Sequence, residues 1–196
     1  MHSRRNLTIL FVFALSAISM AAALAYDNLV SHPGLTEAAI NLYQTSQNKT
    51  LSSEQTKAII QGSVDEDADP RYLNHFYDPT TGQGLSGQLS ARAWSQNQQS
   101  IIGFAGDYSE AAILKNYQDG DPTRAYQGIG HILHLIQDMS VPAHVRNDIH
   151  PNGDVYEVWV KQYGKINPTK YKLIQIENIT NAFENIALAT YQNFYS

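Results

Sequence analysis

Apolar residues recur at helical spacing along most of the chain, and convincing strand alternation is absent. A run beginning at Thr36 places Ala39, Ile40 and Leu42 on a helix. Ser52 followed by Gln55 reads as a capping box ahead of a helix through Ile59 and Ile60. Residues 63–87, rich in Asp, Pro, Gly and Tyr, read as a long loop of the kind that often carries function. Helices resume from Leu89 to Ile102 and from Ser109 to Tyr117 in this reading. Asp121 and Pro122 form an N-cap and first-turn pair for a longer helix carrying His134 and Asp138. Gly128 and Gly130 inside that helix each cost about 1 kcal/mol of helix propensity against alanine. Close approach of a neighbouring helix would explain them. A short helix follows from Asp154 to Tyr163. Asn167-Pro168 opens the last segment, whose clearest helical stretch runs from Ile176 to Phe194. The expected class is all-α.

The N-terminus stands apart. Arg4 and Arg5 precede an apolar run from Leu7 to Leu24, and Ala23-Leu24-Ala25 is a small-x-small cleavage signal. Residues 1–25 therefore read as a secretory signal peptide, leaving 26–196 as a single helical domain that is secreted or periplasmic. An uncleaved membrane anchor is the alternative, since the run is nearly long enough to span a bilayer. No second apolar run of that kind occurs. The last helix reaches Ser196 without a C-cap signal, which suits either a shortened relative of a larger protein or a frayed end.

Hydrophobic residues make up 43% of the chain and charged ones 16%, which argues against a disordered acidic chain. Without residues 1–25 there remain 11 basic residues against 18 acidic ones, a net charge of −7. That balance disfavours binding phosphate backbones through a basic patch. There is no cysteine, so disulfides and thiolate zinc sites are excluded, and any metal must be held by His, Asp, Glu or a chain terminus.

Candidate chemistry concentrates in His134-Leu-Ile-Gln-Asp138-Met-Ser-Val-Pro142-Ala-His144. His134 and Asp138 leave one helix face a turn apart. Pro142 cannot sit inside that helix, so the chain can turn back there and present His144 near the same point. Nitrogen and carboxylate donors gathered in this way suit zinc. Asp65, Glu66, Asp67 and Asp69 precede His75-Phe76-Tyr77-Asp78-Pro79, and Asp154 and Glu157 open the short helix. His131 reads as a packing or ligand-orienting residue, and Asp65, Glu66 and Asp69 as solvated loop charges. Ile132, Leu133, Leu135 and Ile136 read as core. Tyr72, Phe76, Tyr77 and Trp94 read as core or cleft wall.

These parts, taken in order, resemble the bacterial zinc-dependent phospholipase C family and its relatives, the fungal single-strand zinc nucleases. The resemblance runs from about His32 to about Trp159. It rests on Ser31-His32 before a helix, Gly62 with Asp67, His75-Phe76-Tyr77-Asp78-Pro79, the segment His134 to His144, and Tyr156-Glu157. It implies a multi-helix bundle with up to three zinc ions in a cleft. The first ion would be held by Asp67, His75, His134 and Asp138. Another would be held by His32, a bridging Asp138 and the mature N-terminus, here Tyr26; an uncut chain would lack that ligand. A further ion would be held by His144 and Glu157. The family's histidine four residues before its acidic ligand is missing, because Gly153 stands there. His150 is favoured as the substitute, with Asp154 second.

The implied reaction is in-line attack of a zinc-activated water on phosphorus, with Asp67 orienting or deprotonating that water. The substrate would be a phospholipid, met at a membrane surface, or another phosphodiester. Nucleic acid is the substrate in the alternative, a single-strand nuclease. A non-catalytic metal-binding helical protein is the rival from another class. No G-x-S-x-G nucleophile elbow is present, and Gly103-Phe-Ala-Gly106 lacks the Lys-Ser/Thr ending of a phosphate loop. No protein partner is evident.

Overall fold

The computed structural model describes residues 29–99, 106–150, 153–163 and 177–195. Among them are α1 (Ser31–Gln47), α2 (Ser53–Asp65), α3 (Ala91–Gln96), α4 (Glu110–Gln118), α5 (Pro122–Asp138), α6 (Val155–Tyr163) and α7 (Ile179–Asn193). Short 3-10 turns occupy Arg71–Asn74 and His144–Arg146. The described residues contain no strand, as the helical periodicity requires. None of the described helices is long and apolar enough to cross a membrane.

Several helix starts follow from capping chemistry. Ser52 accepts from the Gln55 backbone N–H while the Gln55 side chain accepts from Ser52 N–H, closing the expected capping box. Ser109 caps α4, Asp121 caps α5 with Pro122 in its first turn, and Asn178 caps α7. Asp154 Oδ1 accepts from the backbone N–H groups of Tyr156 and Glu157 at the start of α6.

Several boundaries differ from those expected, α7 among them, which begins at Ile179 and ends at Asn193. Helix α1 begins at Ser31 rather than Thr36. Pro33 is compatible with this because backbone N–H groups of a first turn have no intrahelical acceptor to lose. His32 thus sits inside the helix rather than ahead of it. Helix α2 continues to Asp65, so the expected loop is shorter, and the Arg71–Asn74 turn interrupts it. Helix α3 stops at Gln96, where Asn97 turns extended; residues 100–102 of the longer expected helix lie outside the described residues. So do Asn167, Pro168 and Ile176.

Helix α5 is the hub, packed against α1, α2, α3, α4 and α7. Its two inner glycines meet different neighbours. A Cβ on Gly130 would fall 2.0 Å from the Ile59 carbonyl oxygen of α2, and one on Gly128 would fall 2.5 Å from Ile113 Cγ1 of α4. Gly62 of α2 faces the Gln127 carbonyl oxygen just as closely, 2.0 Å from an added Cβ. The helix propensity given up at these sites is exchanged for backbone-to-backbone contact that brings Ser63 against His134. On its other side α5 builds a core of Leu135 and Met139 with Tyr77, Trp94, Val145 and Phe183. After Asp138 the chain turns, and Val141 and Ala143 pack under Leu35, Tyr156 and Val160, joining α1 and α6 to the end of α5.

Candidate metal centre

The C-terminal end of α5, the first turn of α1, the end of α2, the turn before Phe76 and the start of α6 converge on one buried polar centre. His32, His75, His134, Asp138 and His144 are fully or almost fully buried, and Asp67 and Glu157 nearly so. Three groups bring donor atoms within 4.8 Å of one another: His32 with His134 and Asp138, Asp67 with His75 and His134, and His144 with His150 and Glu157.

Asp138 joins the first two groups. Its Oδ2 lies 3.0 Å from His75 Nδ1 and 3.4 Å from His134 Nε2, while Oδ1 lies 3.4 Å from His32 Nε2. One carboxylate therefore addresses two sets of imidazoles with different oxygens. Asp67 Oδ1 lies 3.4 Å from His134 Nε2 and 3.6 Å from His75 Nδ1. In the third group Glu157 Oε1 is 3.4 Å from both His144 Nε2 and His150 Nε2.

The far side of most rings is anchored. His134 Nδ1 donates to the Ser63 carbonyl at 2.6 Å and His144 Nδ1 to the His75 carbonyl at 3.0 Å. His150 Nδ1 reaches the Asp148 carbonyl at 2.8 Å, and His32 Nδ1 reaches Gln137 Oε1 at 2.7 Å. Donation from Nδ1 leaves Nε2 as the lone-pair nitrogen facing inward, the form in which imidazole binds a metal.

The inward atoms supply the test of whether a metal fits. Both oxygens of Asp67 and of Asp138, the Nε2 atoms of His134, His144 and His150, and Glu157 Oε1 are buried and make no hydrogen bond. So many unsatisfied polar atoms at one place would be costly in a protein interior. All are nitrogen or carboxylate oxygen, the donor set of a zinc site. The residues fit divalent metal.

The electrostatics of these side chains point the same way. Burial by itself would push His75 down, but the Asp138 carboxylate and Glu66 lift it to about 9. Burial likewise opposes charge on His134, and Asp67 and Asp138 override it, raising that ring well above its usual value. Asp138 is held well below the carboxylate range, because His144, His134 and His75 outweigh its desolvation. His150 rises to about 9 against its desolvation, and Glu157, despite its own burial, falls to about 2 through His144 and His150. The carboxylates draw positive charge to this place, and a bound cation would take the part that imidazole protons otherwise play.

Most sequence candidates thus meet in one place. Tyr26 and the 1–25 segment lie outside the described residues. His150 comes to Glu157 as favoured, whereas Asp154 spends Oδ1 on capping α6. His131 is stacked on Tyr108 with ring centroids 3.8 Å apart, and its Nδ1 bonds Glu66. Phe76 stacks on His144 at 4.6 Å and forms cleft wall, while Tyr77 and Trp94 are core. Ile132 and Leu135 are buried as expected; Leu133 and Ile136 are only partly so.

Glu66 is the clear correction. Read as a solvated loop charge, it is 0% exposed. Arg71, Trp94 and His131 surround its carboxylate with hydrogen bonds. Gln137, which holds His32, was also missed. Neither has a spacing signal: Glu66 neighbours three other acids, and Gln137 reads as the polar edge of α5.

Comparison with protein families matches residues 32–195 to zinc dependent phospholipase C, and the chain belongs to that family. A comparison with curated proteins found no match. The family implies a phospholipase C-like hydrolase, and the three groups of side chains could hold its metal.

Proposed function

We propose that this protein is a secreted zinc-dependent phosphoric ester hydrolase of phospholipase C type, with up to three zinc ions and a phospholipid as substrate. The observation that carries this is the convergence of buried, unsatisfied imidazole and carboxylate atoms in a chain of this family. Asp67, His75, His134 and Asp138 would hold one ion; His32, Asp138 and the Tyr26 terminus a second; His144, His150 and Glu157 a third. Cleavage after Ala25 would free the Tyr26 amine for that role. When bound, zinc supplies polarisation of phosphoryl oxygens, a lowered pKa for the attacking water and stabilisation of the leaving oxygen.

The chain's own residues do the positioning. Asp138 keeps two donor sets at fixed separation through its two oxygens. Asp67 has both oxygens free of hydrogen bonds, so one would be able to accept a proton from water while the other helped to hold the metal. Carbonyls of Ser63, His75 and Asp148 hold three rings in the ligating tautomer.

The test is elemental analysis of protein beginning at Tyr26, paired with phosphodiester assays. Chelator-sensitive release of phosphorylated head groups from phosphatidylcholine supports the reading. Release of nucleotides from single-stranded DNA instead would make the protein a nuclease. Less than one zinc per folded chain would overturn the metal reading.

A further inference from the structure

His75 is turned the opposite way from the other four histidines of the centre. His32, His134, His144 and His150 offer Nε2 inward and anchor Nδ1 on an oxygen of the protein. His75 offers Nδ1, which lies 3.0 Å from Asp138 Oδ2 and 3.6 Å from Asp67 Oδ1. Its outward nitrogen, Nε2, meets no backbone carbonyl; it faces Glu66 Oε1 at 3.7 Å.

The carboxylate of Glu66 is placed as an acceptor toward that nitrogen. Oε2 is occupied by Arg71 Nε at 2.8 Å, Arg71 Nη2 at 2.5 Å and His131 Nδ1 at 2.5 Å. Oε1 accepts from Trp94 Nε1 at 2.9 Å. A carboxylate offers about four lone-pair sites, so Oε1 retains one acceptor position on the side of His75. At 3.7 Å the pair is an ion-pair contact rather than a formed hydrogen bond. His131 packs on Tyr108, Arg71 lies over the Trp94 ring 5.3 Å from its centroid, and these contacts hold the carboxylate in place.

We propose that Glu66 is a positioning residue of the metal centre: its Oε1, facing His75 Nε2, favours the proton on that nitrogen, and so selects the tautomer in which Nδ1 would be the metal donor. This rests on the metal reading above. Glu66 itself touches no metal; it acts through the ring. Burying a carboxylate there with a matching guanidinium keeps the pair neutral, yet leaves its acceptor oxygen aimed at one imidazole. A carboxylate behind a ligating histidine fixes ring orientation and raises ligand basicity, and losing such a partner costs roughly 10–100-fold in metal affinity.

The first experiment needs no substitution. Nitrogen-15 NMR of the zinc-loaded protein, with histidine selectively labelled, should show His75 metallated at Nδ1 and protonated at Nε2, and His134 and His144 the reverse. Coordination of His75 through Nε2 would overturn the proposal. The second measures zinc affinity by competition with a chromophoric chelator. Glu66→Gln paired with Arg71→Met avoids stranding a buried charge, and should weaken binding of one zinc about 10–100-fold. The core variant Phe183→Leu, which packs in the cluster containing Trp94 but offers Glu66 no hydrogen bond, should lower thermal stability and keep wild-type zinc affinity. Equal affinity in the Glu66 variant and wild type would overturn the proposal, as would an equal loss in Phe183→Leu. Wild-type protein that binds no zinc at all would instead sink the underlying metal reading.

Discussion

His75 Nδ1 and Asp138 Oδ2 lie 3.0 Å apart, joining the turn ahead of Phe76 to the last turn of α5. The same carboxylate reaches His32 with its other oxygen. Asp138→Asn replaces one of those oxygens with an amide nitrogen, which has no lone pair for a metal. The variant should lose activity and at least one bound zinc while its far-ultraviolet circular dichroism stays helical. Unchanged activity would remove Asp138 from the bridging role.

Chelation should destabilise the protein as well as inactivate it. Ligand present at a thousandfold its Kd stabilises by about 4 kcal/mol, and a domain of this size moves roughly 2–4 °C per kcal/mol. Stripping zinc should therefore lower Tm by about 10 °C, read by calorimetry, with recovery on adding zinc back. An unchanged Tm would contradict a metal that stabilises the fold.

Zinc uptake should release protons. Against their burial, Asp138 and Glu157 raise His75 and His150 to about 9, above the ordinary imidazole value. Below that pH a proton must leave each ring before it can ligate. Apparent affinity should thus rise as pH increases from 6 toward 9 and then level off. Titration calorimetry in buffers of different ionisation enthalpy measures the protons released; none released at pH 7 would contradict these shifts.

His150 and Asp154 can be told apart by substitution. His150→Ala removes an imidazole facing Glu157 and should cost one zinc. Asp154→Ala removes the α6 cap and should cost about 1 kcal/mol of stability with zinc content unchanged. The opposite pattern in elemental analysis would exchange their roles.

Gly130→Ala improves helix propensity yet should destabilise. Its Cβ would fall 2.0 Å from the Ile59 carbonyl oxygen and 2.8 Å from Ser63 N, both backbone atoms that cannot step aside alone. Overpacking of this kind costs about 1–3 kcal/mol. Helix α2 would be pushed from α5, carrying the Ser63 carbonyl away from His134. A fall in both Tm and zinc affinity is expected; a rise in Tm would show that the two helices have slack.

The helical class, most caps and the candidate ligands were legible along the chain because each depends on neighbours within a turn or two. Ser52 with Gln55, Asp121 with Pro122 and His134 with Asp138 are local relationships of this sort. The need for a close helix contact at Gly128 and Gly130 was legible too, since nothing local repays a glycine inside a helix. The identity of the contacting helices was not. Only the tertiary structure decided that Glu66 is buried while Asp69 of the same acidic run is exposed, that His150 rather than Asp154 faces Glu157, and that His75 alone turns Nδ1 inward. Those outcomes depend on which distant groups arrive: Arg71, Trp94 and His131 around Glu66, and Asp138 and Asp67 before His75. Burial and ring orientation are set by partners from other elements, and a one-dimensional pattern holds no record of where those elements meet.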